Sequence, residues 1–223
     1  MTGANRGSGR SIAAELHRRG HRVFGLNRTP LNEEWLTEVP CDLADLGQIH
    51  AAVEWVIERT GRIDVCVSNA VDRVLEPIAA MRVADWDRML AVNLSAHFHL
   101  TQAVLPALRV GRGQIVFMGS HAGTRYFEGG VAYSATKAAM TAFVETLLLE
   151  ERKNGVRACL VSPGAIANLE GDDSPHKMTV DSIAECVASI VGLPDDVVVG
   201  EIELRPASPL QAPVTGIDRL LYV

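Results

Sequence analysis

The stretch TGANRGSGRSIAAELHRRG, residues 2–20, decides the fold of this chain. Its first half is a glycine-rich turn, and its second half is an amphipathic helical run closed by Gly20. A turn of this kind lets the backbone approach a pyrophosphate, while the helix start offers free amide donors and the positive end of the helix dipole. Glycine-rich turns also serve as plain tight connections, so the meaning of this one depends on the pattern downstream of it. That pattern is an alternation. Short apolar runs rich in β-branched residues lie at residues 23–26, 63–69, 114–120 and 156–164, and read as buried parallel strands. Helical patterns fall between and after them, at about residues 46–59, 84–109, 133–153 and 180–193. The alternation predicts an α/β fold with a doubly wound parallel sheet in a single domain, residues 1–223.

Further along, GSHAGTRYFEGGVAYSATKAAM, residues 119–140, carries candidate chemistry. Tyr133 and Lys137 are four apart on one helix face, so the ammonium can reach the phenol and favour its phenolate form. That makes a usable acid near neutral pH. Ser120 closes a strand pattern, where its hydroxyl can donate to a carbonyl oxygen as negative charge develops there. A Tyr-x-x-x-Lys spacing also arises by accident in helices, and its neighbours decide between the two readings.

Those neighbours carry a resemblance. In order, Thr2, Gly3, Gly7, Gly9, Asp42, Asn69-Ala70, Asn93, Ser120, Tyr133, Lys137 and Pro163-Gly164 match the pattern of the short-chain dehydrogenase/reductase family, which the chain resembles over nearly its whole length. The spacing of Gly3, Gly7 and Gly9 differs from the Gly-x-x-Gly-x-x-Gly of that family's extended epimerase and dehydratase branch. The resemblance implies a Rossmann-type sheet and reduction of a ketone or aldehyde to an alcohol by hydride transfer. Tyr133 would be the proton donor, with Lys137 lowering its pKa and binding the nicotinamide ribose. Ser120 would polarise the carbonyl, and Asn93 would hold a water that links Lys137 to solvent. For the cofactor it implies the loop Gly3, Gly7 and Gly9, Asp42 at the adenine with Leu43 behind the ring, and Asn69 and Ala70. Pro163, Gly164 and the backbone of Ile166 would meet the nicotinamide. Ser120, His121, Tyr126, Ala165 and Leu169 would frame a small-molecule substrate, with Val71 and Arg73 at the mouth. Pairing of the two long helices would give a homodimer or homotetramer.

Cofactor preference is read at the end of the second family strand, where an NAD enzyme commonly places a carboxylate for the ribose hydroxyls. Here stand Asn27 and Arg28, with Arg6 inside the glycine loop. Two guanidinium groups suit a 2′-phosphate, so the expectation is NADPH over NADH, unless both are solvated surface residues.

Departures from the family pattern go with the match. Only Met1 precedes Thr2, whereas the family places a buried central strand of about five or six residues there. The usual first central strand is therefore expected to be missing. A start inside a longer reading frame, a sheet that rearranges or borrows a strand, and loss of nucleotide binding all account for it. The segment TPLNEEWLTEVPC, residues 29–41, is too short for a full helix and strand, and predicts about one helical turn and an edge strand near residues 36–40. AIANLEGDDSPHK, residues 165–177, predicts a short lid. Val71 stands where the family has Gly, and Asn168 where it often has Thr.

Composition narrows the classes. A chain of 223 residues with 48% hydrophobic content can bury one continuous core. A net charge of −6 without a basic run disfavours nucleic acid. Cys41, Cys66, Cys159 and Cys186 are dispersed and read as reduced core thiols. The histidines show no metal-ligand spacing, so no metal is expected, and His97 and His99 do not share a helix face. Without a leader pattern or a run of about eighteen apolar residues, the expectation is a cytoplasmic enzyme off the membrane. The rival reading is a sensor or interaction protein of the same fold that binds the dinucleotide without turnover.

Overall fold

The computed structural model describes residues 1–169 and 171–208. Its strands are β1 (Phe24–Asn27), β2 (Thr37–Pro40), β3 (Val65–Ser68), β4 (Gln114–Met118), β5 (Arg157–Pro163), β6 (Ile166–Ala167), β7 (Met178–Thr179) and β8 (Glu201–Leu204). The helices are α1 (Gly7–Arg18), α2 (Leu46–Thr60), α3 (Val83–Leu90), α4 (Ala96–Gly111), α5 (Val131–Glu151) and α6 (Val180–Val191). β3, β4, β5 and β8 run side by side, all parallel, and β1 pairs β2 in the same sense.

The unbroken apolar runs result from burial on both faces. Ile115 and Phe117 of β4 enter a core with Ile49 of α2, Leu100 of α4 and Met140 of α5. Val116 and Met118 face the opposite core, built with Ile12 of α1 and Ile183 of α6. Successive side chains of a strand point to opposite faces, so a strand covered twice cannot alternate with polar residues. α2 is bounded locally. Asp45 accepts the Gln48 amide at 3.2 Å at its start, and Gly61 takes a left-handed conformation, φ 71°, at its end.

The first central strand is represented by Met1–Gly3. Leu26 N–H donates to Met1 O at 2.8 Å and Gly3 N–H to Leu26 O at 3.1 Å, while Thr2 N–H donates to Val67 O at 3.0 Å. These residues join β1 to β3 at the strand ends that face the cleft. The sheet has not closed up by direct pairing of β1 with β3 among the described residues.

Several expectations are corrected. The segment before β2 contains a turn, Leu36 N–H to Glu33 O at 3.1 Å, and no helical turn, because the Glu38 carboxylate gathers the amides of Leu31 and Asn32. The helix expected over residues 84–109 is α3 and α4 joined by a π-helical turn, Ala91–Ser95, with Asn93 inside it. Such turns interrupt the regular ladder and redirect the side chains they carry. The short lid is pinned at its base by pairing of β6 with β7. β8, whose EIEL pattern alternates charge with apolar residues, completes the edge of the larger sheet.

Candidate active site

The glycine loop enters α1 beside the C-terminal ends of β1 and β3, where open α/β sheets bind ligands. Gly9 packs so closely that a β-carbon there would collide with the Gly3 carbonyl. Ala4 N–H donates to the Asn27 carboxamide at 2.7 Å, and the other end of that carboxamide donates to Glu38 at 2.9 Å. Asn27 is thus a buried tie beneath the loop, although it also borders the cleft. Thr2, which sequence reasoning gave no role, accepts the amides of Asn69 and Ala70 on its hydroxyl at 2.9 and 3.0 Å. Asn69 returns its side-chain amide to the carbonyls of Thr2 and Gly3. At the first turn of α1, Ser8 N–H donates to the Asn168 side-chain oxygen at 2.7 Å. That amide is therefore aimed at an oxygen acceptor in the cleft, as a phosphate site requires. Arg6 and Arg28 are exposed beside it, and Asp42 and Leu43 continue the same wall.

At the other end of the cleft, α5 presents Tyr133 and Lys137, both buried, opposite Ser120 at the end of β4. The Ser120 hydroxyl accepts Ala122 N–H at 3.1 Å and lies close enough to the Tyr133 phenol to act on its pKa through hydrogen bonding. Burial raises the Tyr133 pKa, opposed by the Ser120 bond and by the charge of Arg73. The expectation that Lys137 holds this phenol down is not what the geometry gives. Its Nζ lies 5.9 Å from the Tyr133 ring centre and donates to Met118 O at 2.6 Å. Burial lowers the Lys137 pKa from 10.5 to about 8.

Asn93 is fully buried in the π turn and clasps the loop after β3. Its side-chain oxygen accepts Asp72 N–H and its amide donates to Asp72 O, both at 2.8 Å. Sequence reasoning offered no sign of this clasp, which joins positions 21 residues apart through backbone atoms.

Of the residues expected around a substrate, His121, Ala165 and Leu169 border the cleft, Leu169 being 72% exposed. Tyr126 does not border it and is 66% exposed; Phe127 takes that place, packed against Gly130 and close to Tyr133. Phe127 makes the apolar contact there. His121 approaches Glu203 of β8, Nε2 to Oε1 3.2 Å, a partner that only the placement of β8 reveals. His97 is a core residue, bonded to Ser68 at 2.6 Å, and burial lowers its pKa to about 3. Pro163, Gly164 and Ile166 line the floor between the two ends.

The glycine loop, Asp42, Leu43, Ser120, Tyr133, Lys137 and Pro163 to Ile166 border one cleft of about 950 Å³, open at the C-terminal ends of the strands. The sequence profile of the family described as short chain dehydrogenase matches residues 1–174. The chain belongs to that family. An uncharacterized oxidoreductase of Staphylococcus epidermidis is 31% identical over 222 residues, covering 92% of this chain and 95% of that protein. An alcohol dehydrogenase from the archaeon Thermococcus sibiricus, solved with 5-hydroxy-NADP, superposes with a TM-score of 0.86 at 28% identity, covering 96% of this chain and 97% of that one. A metagenomic short-chain oxidoreductase solved with NADP gives a TM-score of 0.83 at 32% identity, covering 92% and 95%.

Membership makes the chain an oxidoreductase of the short-chain family, whose members bind a nicotinamide dinucleotide and act on small molecules. The residues present fit that group, since the loop brings the Ser8 amide to an oxygen and the cleft continues from there to the Tyr133 phenol. Among the described residues no cluster of His, Cys, Asp or Glu is placed to hold a metal. No described helix is long and apolar enough to cross a membrane. The four cysteines are free, and burial pushes the Cys41 and Cys66 thiols up to about 11 and that of Cys159 to about 12.

Proposed function

We propose that this protein reduces a ketone or aldehyde to an alcohol with NADPH. The observation that carries the reading is a single cleft with Ser120, Tyr133 and Lys137 at one end and Arg6 and Arg28 at the other. Gly3, Gly7 and Gly9 with the α1 amides would hold the pyrophosphate, Asp42 and Leu43 the adenine, and Pro163, Gly164 and Ile166 the nicotinamide. Asn69 and Ala70 would shape that pocket from the end of β3. Bound NADPH supplies the hydride. The Ser120 hydroxyl orients the substrate carbonyl, and the Tyr133 phenol, its proton retained through neutral pH by burial, donates that proton to the oxygen. Lys137 resupplies it, its lowered pKa making proton exchange near neutral pH easier than for an ordinary ammonium. Asn93 links Lys137 to solvent through a water and fixes the adjoining loop.

NADPH preference rests on the exposed pair Arg6 and Arg28, for which no described carboxylate lies in ion-pairing range. Arg28→Asp is expected to cut the ratio of kcat/KM for NADPH over NADH by about tenfold or more, since it removes one charge-assisted bond and adds a repulsive carboxylate. An unchanged ratio would remove Arg28 from the argument. Fluorescence titration with NADPH, then a panel of ketones and aldehydes, tests the function itself. Saturable binding without turnover on any of them would favour the sensor reading. Self-association through α4 and α5, which leave Phe98, Val110 and Leu149 exposed, belongs to the same proposal, as does a cytoplasmic location.

A further inference from the structure

The cations that border the cleft fall into two groups when each is matched to its carboxylate. Arg88 Nε lies 2.5 Å from Asp72 Oδ2, Lys177 Nζ lies 2.6 Å from Asp172 Oδ2, and Arg125 lies 3.6 Å from Glu203. Among the described residues Arg6, Arg28, Lys137 and Arg73 border the cleft with no carboxylate in ion-pairing range. The first two stand at the phosphate end, and Lys137 is buried beside the phenol. Arg73 remains, alone on the substrate side, on the loop after β3.

Its surroundings point to a built position. Asp72, the carboxylate nearest to it in sequence, is turned away to Arg88, and accepts only the backbone N–H of Arg73, at 3.0 Å. The backbone of Asp72 is clasped on both sides by Asn93 from the π turn, and Val74 N–H contacts the Met89 sulfur at 3.4 Å. The guanidinium therefore hangs from a fixed backbone while its head stays in solvent, close enough for its charge to act on the Tyr133 phenol. An unpaired cation left at the mouth of a reaction cleft has a ligand use: it recognises an anionic group on what enters. A single planar fork matches a carboxylate, whereas the phosphate end gathers two guanidinium groups.

We infer that Arg73 is the substrate-recognition residue of this cleft and that the physiological substrate is a keto acid, whose carboxylate pairs with Arg73 while its carbonyl lies at Ser120 and Tyr133. This rests on the reductase reading above and names the substrate class of the same site.

The test uses keto acids with one to three methylenes between carbonyl and carboxylate, each beside its methyl ester, with NADPH and the full chain. The acid is expected to exceed its ester in kcat/KM by about tenfold or more for at least one spacing. That ratio should fall toward one in Arg73→Gln, recover in part in Arg73→Lys, and shrink as salt rises, since the guanidinium is exposed. A ratio near one in the unaltered protein, or one that Arg73→Gln leaves unchanged, overturns the inference while turnover of both compounds keeps the reductase reading. If neither acid nor ester is turned over, calorimetric binding of the same pairs to the NADP-loaded protein decides. Acid-selective binding that Arg73→Gln abolishes sustains the Arg73 site and sinks the reductase reading. Binding without selectivity, or no binding, overturns the inference.

Discussion

Tyr133→Phe is expected to lower kcat for carbonyl reduction about a thousandfold while NADPH titrates the variant as it does the parent protein. The ring belongs to a small apolar cluster with Met89, Ala122 and Ala132, which a phenylalanine fills equally well, so the fold has no reason to change. What is lost is the phenol proton that Tyr133 carries into the cleft beside Ser120. Because burial raises the phenol pKa, the acid form prevails through neutral pH, and the reduction rate of the unaltered protein should fall only on the alkaline side. Single-turnover kinetics with pre-bound NADPH separate this from any change in binding. Turnover within about tenfold of the parent would place the proton donor elsewhere.

Lys137→Met should likewise remove most turnover, and it should also change how stability responds to pH. An ordinary lysine titrates near 10.5, and burial brings Lys137 to about 8. Between those values the unfolded chain binds more protons than the folded one, so the parent gains stability as pH rises across that window. Below about pH 8 the full cost of burying the ammonium is present. The shift corresponds to about 3 kcal/mol. Relative to the parent, Lys137→Met should therefore look better at pH 7 than above pH 10.5 by roughly that amount, read by urea unfolding at both ends. Other titrating groups cancel in the comparison. The hydrogen bond to Met118 O is lost at either pH and offsets part of the gain without altering the difference. Parallel stability profiles would mean that the ammonium is not buried as described.

Much of the site was legible because its residues lie at strand ends and on one helix face, where spacing alone fixes neighbourhood. Ser120, Tyr133 and Lys137 border one end of the cleft for that reason, and Gly3, Gly7 and Gly9 gather at the start of α1. What escaped depends on long-range placement. Asp72 meets Asn93 and Arg88 only once α3, the π turn and the β3 loop are assembled, and His121 meets Glu203 only once β8 joins the edge. β8 itself was hidden because an edge strand with alternating glutamates lacks the apolar run that marks a doubly covered strand. Tyr126 was mistaken for a wall residue since a turn gives no periodicity from which to choose between it and Phe127.

The clasp of Asn93 on Asp72 gives the cleft a stiff rail, from which Val71 and Arg73 project as interchangeable fittings. Side chains at those two positions can therefore be exchanged while the backbone beneath them stays held, although a change at Arg73 also removes a charge that acts on Tyr133. A change at Asn93, by contrast, would disturb both at once, so that position is the last one an engineer should vary.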